Sequence, residues 1–145
     1  MPLGTIAPAV FEFFGHTADL GLRVTAPDLE SLLAEAARGL LAMLVDNPQQ
    51  VQVTSTVEVK ISGQDPVYLL FDFLSELLVI FDTRHLLLAD FEVEVSGDGL
   101  HARARGEQLD PARHRLAHEV KAITYHGLKV EKTDDGWLAE LIVDI

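Results

Sequence analysis

The chain has 145 residues, 48% of them hydrophobic, and 23 acidic against 11 basic side chains give a formal net charge of −12. That length predicts one domain, 1–145, around a single core, and the charge excludes a non-specific grip on RNA or DNA, because neutralising phosphates needs clustered Lys and Arg. There is no cysteine, which removes disulfides, thiolate zinc sites and cysteine nucleophiles together.

The mean hydropathy of +0.20 argues against long disorder. No basic stretch followed by an apolar one opens the chain, and the longest apolar run, 67–81, is interrupted by Asp72, Ser75 and Glu76. The expectation is a cytoplasmic protein with no membrane span.

In chain order, "FFGHTADLGLRV" comes first: two apolar strand-like runs separated by a break that carries His16, Thr17 and Asp19 between Gly15 and Gly21. A glycine-flanked loop on a rigid scaffold suits a polar site. Thr and Asp at a turn also bond to their own backbone, which is the commoner use of such residues. Next, Leu29, Leu32, Leu33, Ala36, Ala37, Leu40, Leu41 and Leu44 form one continuous helical stripe. Thr25 and Asp28 ahead of it supply a capping start.

"VQVTSTVEVKIS" places Val51, Val53, Ser55, Val57, Val59 and Ile61 on one face, which predicts a long strand with one wet side. At "DPVYLL" Asp65 can cap a second helix with Pro66 at its first position, and its apolar residues surround most of the circumference. "FEVEVSGDGLHARAR" reads as a hairpin; an Asp98-Gly99 turn sets Glu94 opposite Arg103 and Glu92 opposite Arg105. "HGLKVEKTDDGWLAELIVDI" reads as another, in which an Asp135-Gly136 turn pairs Val130 with Leu141 and brings Asp144 and Ile145 beside "TYHG". Together these predict an α+β fold: one compact domain, a largely antiparallel twisted sheet packed with two main helices.

Few residues offer chemistry. His114 and His118 are four apart and would share a helix face, but Arg115 lies between them and no glutamate stands as in HExxH, so zinc is disfavoured. Asp72 and Glu76 are an i,i+4 pair that a solvated face explains. Trp137 after a turn is expected to anchor the core. There is no nucleophile elbow, P-loop or dinucleotide fingerprint. The "LIVDI" terminus is more pointed. It sets the Asp144 carboxylate beside the α-carboxylate of Ile145, at the end of an apolar strand. Like charges so close repel unless a cation or solvent intervenes.

"HTADLG", "GEQLDPARH", "EVKAITYHGLKVE" and "DGWLAELIVDI", in that order, resemble the archease family, as does the helix "LLFDFLSELLVIFDT", although Phe73 stands where a tryptophan is frequent. The resemblance covers essentially the whole chain. It implies a small cytoplasmic α+β protein that is not itself an enzyme and assigns no catalytic residue. It implies a protein cofactor of RtcB-type RNA ligases, which join RNA ends with GTP and manganese in tRNA splicing and RNA repair. The family's members promote guanylylation and multiple turnover, so RNA is met only through the ligase.

The resemblance also implies a metal site at Asp19, Asp144 and Ile145, bordered by His16, Thr17, Lys121, Thr124 and His126. Oxygen ligands suit a divalent cation, Ca²⁺ first, with Mg²⁺ or Mn²⁺ as alternatives. Two other readings share the acidic surface. One is a chaperone or modulator of another RNA-processing enzyme, such as a tRNA methyltransferase. The other is a small metal-dependent hydrolase using Asp19, His16 and His126. The oligomeric state stays open.

Overall fold

The computed structural model describes residues 8–15 and 19–145. The element order is β1 (Val10–Gly15), β2 (Asp19–Ala26), α1 (Leu29–Leu44), a 3₁₀ turn (Pro48–Gln50), β3 (Ser55–Ser62), α2 (Pro66–Arg84), β4 (Leu86–Ser96), β5 (Gly99–Gln108), β6 (Ala122–Ile123), β7 (Lys129–Lys132) and β8 (Trp137–Asp144). All strand pairings described are antiparallel. They fall into two sheets, one of order β1-β2-β8-β6 with β7 also on β8, the other of order β3-β5-β4. The α+β class holds; the strands divide between two sheets that share the helices.

Both helices begin where capping chemistry places them. The Asp28 carboxylate accepts from Ser31 N–H at 2.7 Å, and Asp65 accepts from Val67 N–H at 2.9 Å with Pro66 following. Each cap satisfies a donor that the first helical turn leaves without an intrahelical partner. α2 ends at His85, whose φ of 54° reverses the chain into β4. Each helix touches strands of both sheets, and one apolar cluster runs through all of them, with Phe73, Leu22, Leu32, Leu70, Leu74 and Leu141 fully buried.

The long strand expected from residue 51 is shorter: β3 starts at Ser55, after the 3₁₀ turn and an extended segment. The β4–β5 hairpin turns at Gly97-Asp98, two residues from the predicted register, so Glu92 faces Arg103 and Glu94 faces His101. An even shift keeps every side chain on its predicted face, because strand side chains alternate with period two. Arg105 therefore still meets acids, at 2.9 Å from Asp90 and 3.3 Å from Glu92. Trp137 is half-buried against the core, as expected.

No helix among the described residues is long and apolar enough to cross a membrane.

Candidate functional site

β2 and β8 pair along their whole lengths, with Leu22 opposite Leu141 and Val24 opposite Ala139 on the buried face. The other face carries polar rows. In one, Glu12, Arg23, Glu140 and Lys129 alternate in sign across four strands; Arg23 reaches Glu12 at 2.9 Å and Glu140 at 2.5 Å, and Lys129 lies 3.6 Å from Glu140. Arg23 holds the Glu140 carboxyl below its ordinary range, outweighing the opposite pull of burial. In the next row the Phe14 ring covers Gly21, where a Cβ would come within 2.2 Å of it, and the Arg23 guanidinium lies 5.0 Å from the centre of that ring.

The row beyond is different. Asp19 lies directly opposite Asp144, so two carboxylates share the end of the wet face. Residues so placed have Cβ atoms about 5 Å apart, and like charges there destabilise the pair. Among the described residues no basic side chain forms an ion pair with either acid, in contrast to the compensated row two rows away. Asp144 is exposed, but Asp19 Oδ1 is buried and has no hydrogen-bond partner among the described residues. A buried carboxylate oxygen left unpaired is costly.

The far side of Asp144 corrects one expectation. The terminus lies beside Lys121–Ile123, not beside "TYHG": Ala122 faces Asp144, and Lys121 N–H donates to the Asp144 carbonyl at 2.7 Å. β6 and β7 follow each other along the same edge of β8. Between Ile123, opposite Val143, and Lys129, opposite Glu140, six steps on the edge match three on β8. The extra residues form a turn closed by Leu128 N–H to the Tyr125 carbonyl at 3.2 Å, with Gly127 at φ 65°. That positive φ suits glycine, and it stops β7 from continuing toward the terminus.

The predicted residues thus divide. Asp19, Asp144 and Ile145 come together at the ends of β2 and β8. Thr124 borders them, its N–H and Oγ1 both donating to the Ile142 carbonyl at 3.1 and 2.8 Å. Lys121 is adjacent through its backbone with an exposed side chain, and His126 is exposed on the turn. His16 and Thr17 fall outside the described residues. Among the described residues no three His, Cys, Asp or Glu side chains gather as metal ligands. A cation here would rest on two carboxylate side chains, main-chain oxygens and water. All are hard oxygen donors, and the orphaned Asp19 Oδ1 is a lone pair in need of a partner, so the donor set fits a hard divalent ion.

An aromatic group on the same turn carried no periodic signal in the sequence. The Tyr125 ring stacks on Phe71 of α2 at 3.9 Å and 11°, with Tyr68 edge-on at 6.3 Å. Tyr125 and Tyr68 remain more than half exposed.

The histidine pair is resolved against a shared helix face. Residues 109–121 form no helix, His118 is exposed and His114 is buried. The His114 Nδ1 accepts from Asp110 N–H at 2.9 Å, so the ring proton lies on Nε2, 2.9 Å from Glu107. Both ring nitrogens are engaged, which leaves neither for a metal. Burial pushes the Glu107 carboxyl up, but Gln52 N–H at 2.8 Å, the Arg113 guanidinium and His114 prevail and hold it at about 2. The knot fastens the loop that ends at Lys121. Asn47 adds a second fastening, donating to the Arg113 carbonyl at 2.9 Å and accepting from Arg115 N–H at 3.0 Å.

A carboxyl held below its unfolded value of 4.5 contributes stability that is complete above that pH and lost as pH falls toward about 2. The expected result is a decline in the urea midpoint across that window. Glu107→Gln removes this part of the pH dependence while lowering stability at neutral pH. An unchanged acid limb in the variant would show that the knot contributes nothing.

A family model described as the archease protein family matches residues 11–145. The archease of Pyrococcus abyssi is 44% identical over 140 residues, covering 93% of this chain and 98% of that one. The archease of Methanopyrus kandleri is 41% identical over 139 residues, covering 93% and 99%. Among solved structures, a Methanobacterium thermoautotrophicum protein determined in solution matches with a TM-score of 0.79 at 34% identity, covering 93% and 98%. An archease of Thermotoga maritima, described as a possible chaperone, shares the fold with a TM-score of 0.64 at 22% identity, covering 91% and 94%.

Proposed function

The chain belongs to the archease family, and from that premise we infer that it is a non-catalytic protein cofactor of an RtcB-type RNA ligase, promoting guanylylation and multiple turnover in tRNA splicing or RNA repair. The observation that supports this reading is the acidic pair, Asp19 opposite Asp144 at the end of the β2–β8 ladder, which no basic side chain among the described residues pairs with. Like charges directly opposite destabilise a sheet, and two rows along the same face Arg23 neutralises Glu12 and Glu140. An acid pair that no basic side chain among the described residues pairs with fits a site for a cation or for a basic partner.

Asp19, Asp144 and Ile145 are the residues that would hold a divalent cation, Ca²⁺ in the first instance. Bound there, the ion supplies positive charge that neutralises the pair and orients phosphate oxygens. The remaining work belongs to the chain. β2 and β8 hold the two carboxylates at a fixed cross-strand spacing. Lys121 N–H fixes the main chain at Asp144, and the exposed Tyr125 and His126 widen the presented surface. In this reading the site serves presentation to a partner.

The test is multiple-turnover ligation by the RtcB-type ligase of the same organism, with GTP and Mn²⁺, with and without substoichiometric amounts of this protein. Product well beyond one turnover per ligase is the expected result. Unchanged turnover with both proteins folded would overturn the cofactor reading and leave a client-stabilising role in its place.

A further inference from the structure

Among the described residues β3 is an edge strand: it pairs with β5 on one side and with no described strand on the other. Its outward hydrogen-bonding groups can be identified. Gly63 N–H donates to the Asp98 carbonyl at 3.1 Å, which makes that a hydrogen-bonded pair in the β3–β5 register. Antiparallel ladders alternate, so Thr56, Glu58, Lys60 and Ser62 turn their N–H and C=O groups away from β5. None of these groups meets another backbone segment among the described residues.

Beside this edge runs α2, which follows β3 after a short connection. Residues Lys60, Ile61 and Ser62 of β3, with Asp72, Ser75, Glu76 and Val79 of α2, line an open groove of about 460 Å³. The helical residues fall at i, i+3, i+4 and i+7, a single helix face. Asp72 and Glu76 are exposed, and Val79 is 50% exposed although apolar. A free strand edge next to a helix face that carries two carboxylates and, one turn beyond them, an apolar contact is the geometry that admits an added strand.

We propose that this groove docks an extended basic segment of a partner protein as an additional strand beside β3. Charge selects the occupant. The two carboxylates outnumber the one ammonium of Lys60 in the groove, and the whole chain carries −12. A second copy would bring the same acidic groove and the same net charge, and a nucleic acid would be repelled. A Lys- or Arg-bearing strand gains both the backbone bonds and the carboxylates. Glu58 and Lys60 project from the wet face, where they deter flat edge-to-edge association yet leave the outward N–H groups free. The proposal is independent of the Asp19 site.

The test is an ¹⁵N NMR titration with an eight-residue peptide alternating lysine and valine. A glutamate–valine peptide serves as the charge control. Expected shifts are confined to the amides of 56–62 and 72–79, and the acidic peptide is silent. Asp72→Asn with Glu76→Gln weakens binding about three- to ten-fold, the range for two exposed ion pairs. Lys60→Pro is the decisive variant. It removes an outward N–H that the β5 ladder does not use, so the fold stands, and it also removes a positive charge. Strand addition predicts binding at least about ten-fold weaker, whereas simple charge attraction predicts tighter binding. Glu76→Lys, which leaves the β3 backbone untouched, must also lose the peptide. Shifts scattered over the acidic surface, tighter binding by Lys60→Pro, or no binding at all would overturn the proposal. So would self-association through the same amides without peptide.

Discussion

Replacing Asp19 by alanine is expected to reduce ligation to the level reached without the protein, while leaving the fold as stable as before or slightly more so. The two halves of this expectation come from the same geometry. Asp19 sits directly opposite Asp144, with Oδ1 buried and without a hydrogen-bond partner among the described residues. Removing it takes away a repulsion and an unsatisfied acceptor, and the methyl left behind sits at the margin of the sheet. The change in folding free energy should stay within about 0.5 kcal/mol of zero, or favour the variant.

Most substitutions at a partly buried position destabilise, so a loss of function without a loss of stability would mark this acid as functional. A cation adds a second readout. At a concentration about a hundredfold above Kd, binding raises the stability of the native state by about 2.7 kcal/mol. Thermal unfolding of the wild type should shift upward with Ca²⁺ and return with chelator, and Asp19→Ala should show neither. Asp19→Asn keeps the shape and removes the charge, and should behave like alanine in both assays. An Asp19→Ala protein that activates the ligase fully would sink the acidic-site mechanism, though not the family assignment.

The largest effect on folding is expected at Gly106. β4 carries one extra residue between Leu88 and Asp90, and Gly106 of β5 faces this bulge. A Cβ built on Gly106 would lie 1.7 Å from the Leu87 carbonyl oxygen and 2.7 Å from its carbon. These are backbone atoms, so no rotamer change relieves the overlap. The Gly106 carbonyl also accepts from Thr54 N–H at 2.9 Å, tying the segment before β3 to the same point. Gly106→Ala must therefore open the bulge or displace β5 in the middle of its sheet. The cost is expected to be on the order of 4 kcal/mol, in the exceptional range for a single methyl. Urea unfolding measures it directly. A loss below about 1 kcal/mol would mean that the bulge relaxes at little expense.

The helices were legible because two independent signals coincide at each: Asp28 with the leucine stripe, and Asp65-Pro66 with the apolar run. Strand faces were legible for the same reason, but registers were not. In the β4–β5 hairpin the sequence offers both Gly97-Asp98 and Asp98-Gly99 as turn centres. Composition does not show that Gly99, at φ 151°, is needed in the ladder, where a Cβ would strike the Ile61 carbonyl oxygen at 2.0 Å. At the site, Asp19 and Asp144 were named through resemblance, and Asp144 had drawn notice by its chemistry. The strand beside them was missed because β6 is only two residues long and has no periodicity to read. The Glu107–His114 knot was not legible, because His114 read only as one of a pair with His118; burial of a histidine in a non-helical loop leaves no pattern along the chain.

The β2–β8 pairing has a kinetic consequence. Arg23 and Glu140 meet across a separation of 117 residues, so the middle of the larger sheet is closed by one of the longest loops the chain can form. Such contacts raise contact order and carry a large loop-closure cost, which slows folding. Either acid alone could be displayed by a half-folded chain, but the pair exists only once β8 has slotted between β2 and the β6–β7 edge. A partner that recognises both carboxylates together would thereby recognise completed folding, and would pass over immature molecules without any separate inspection.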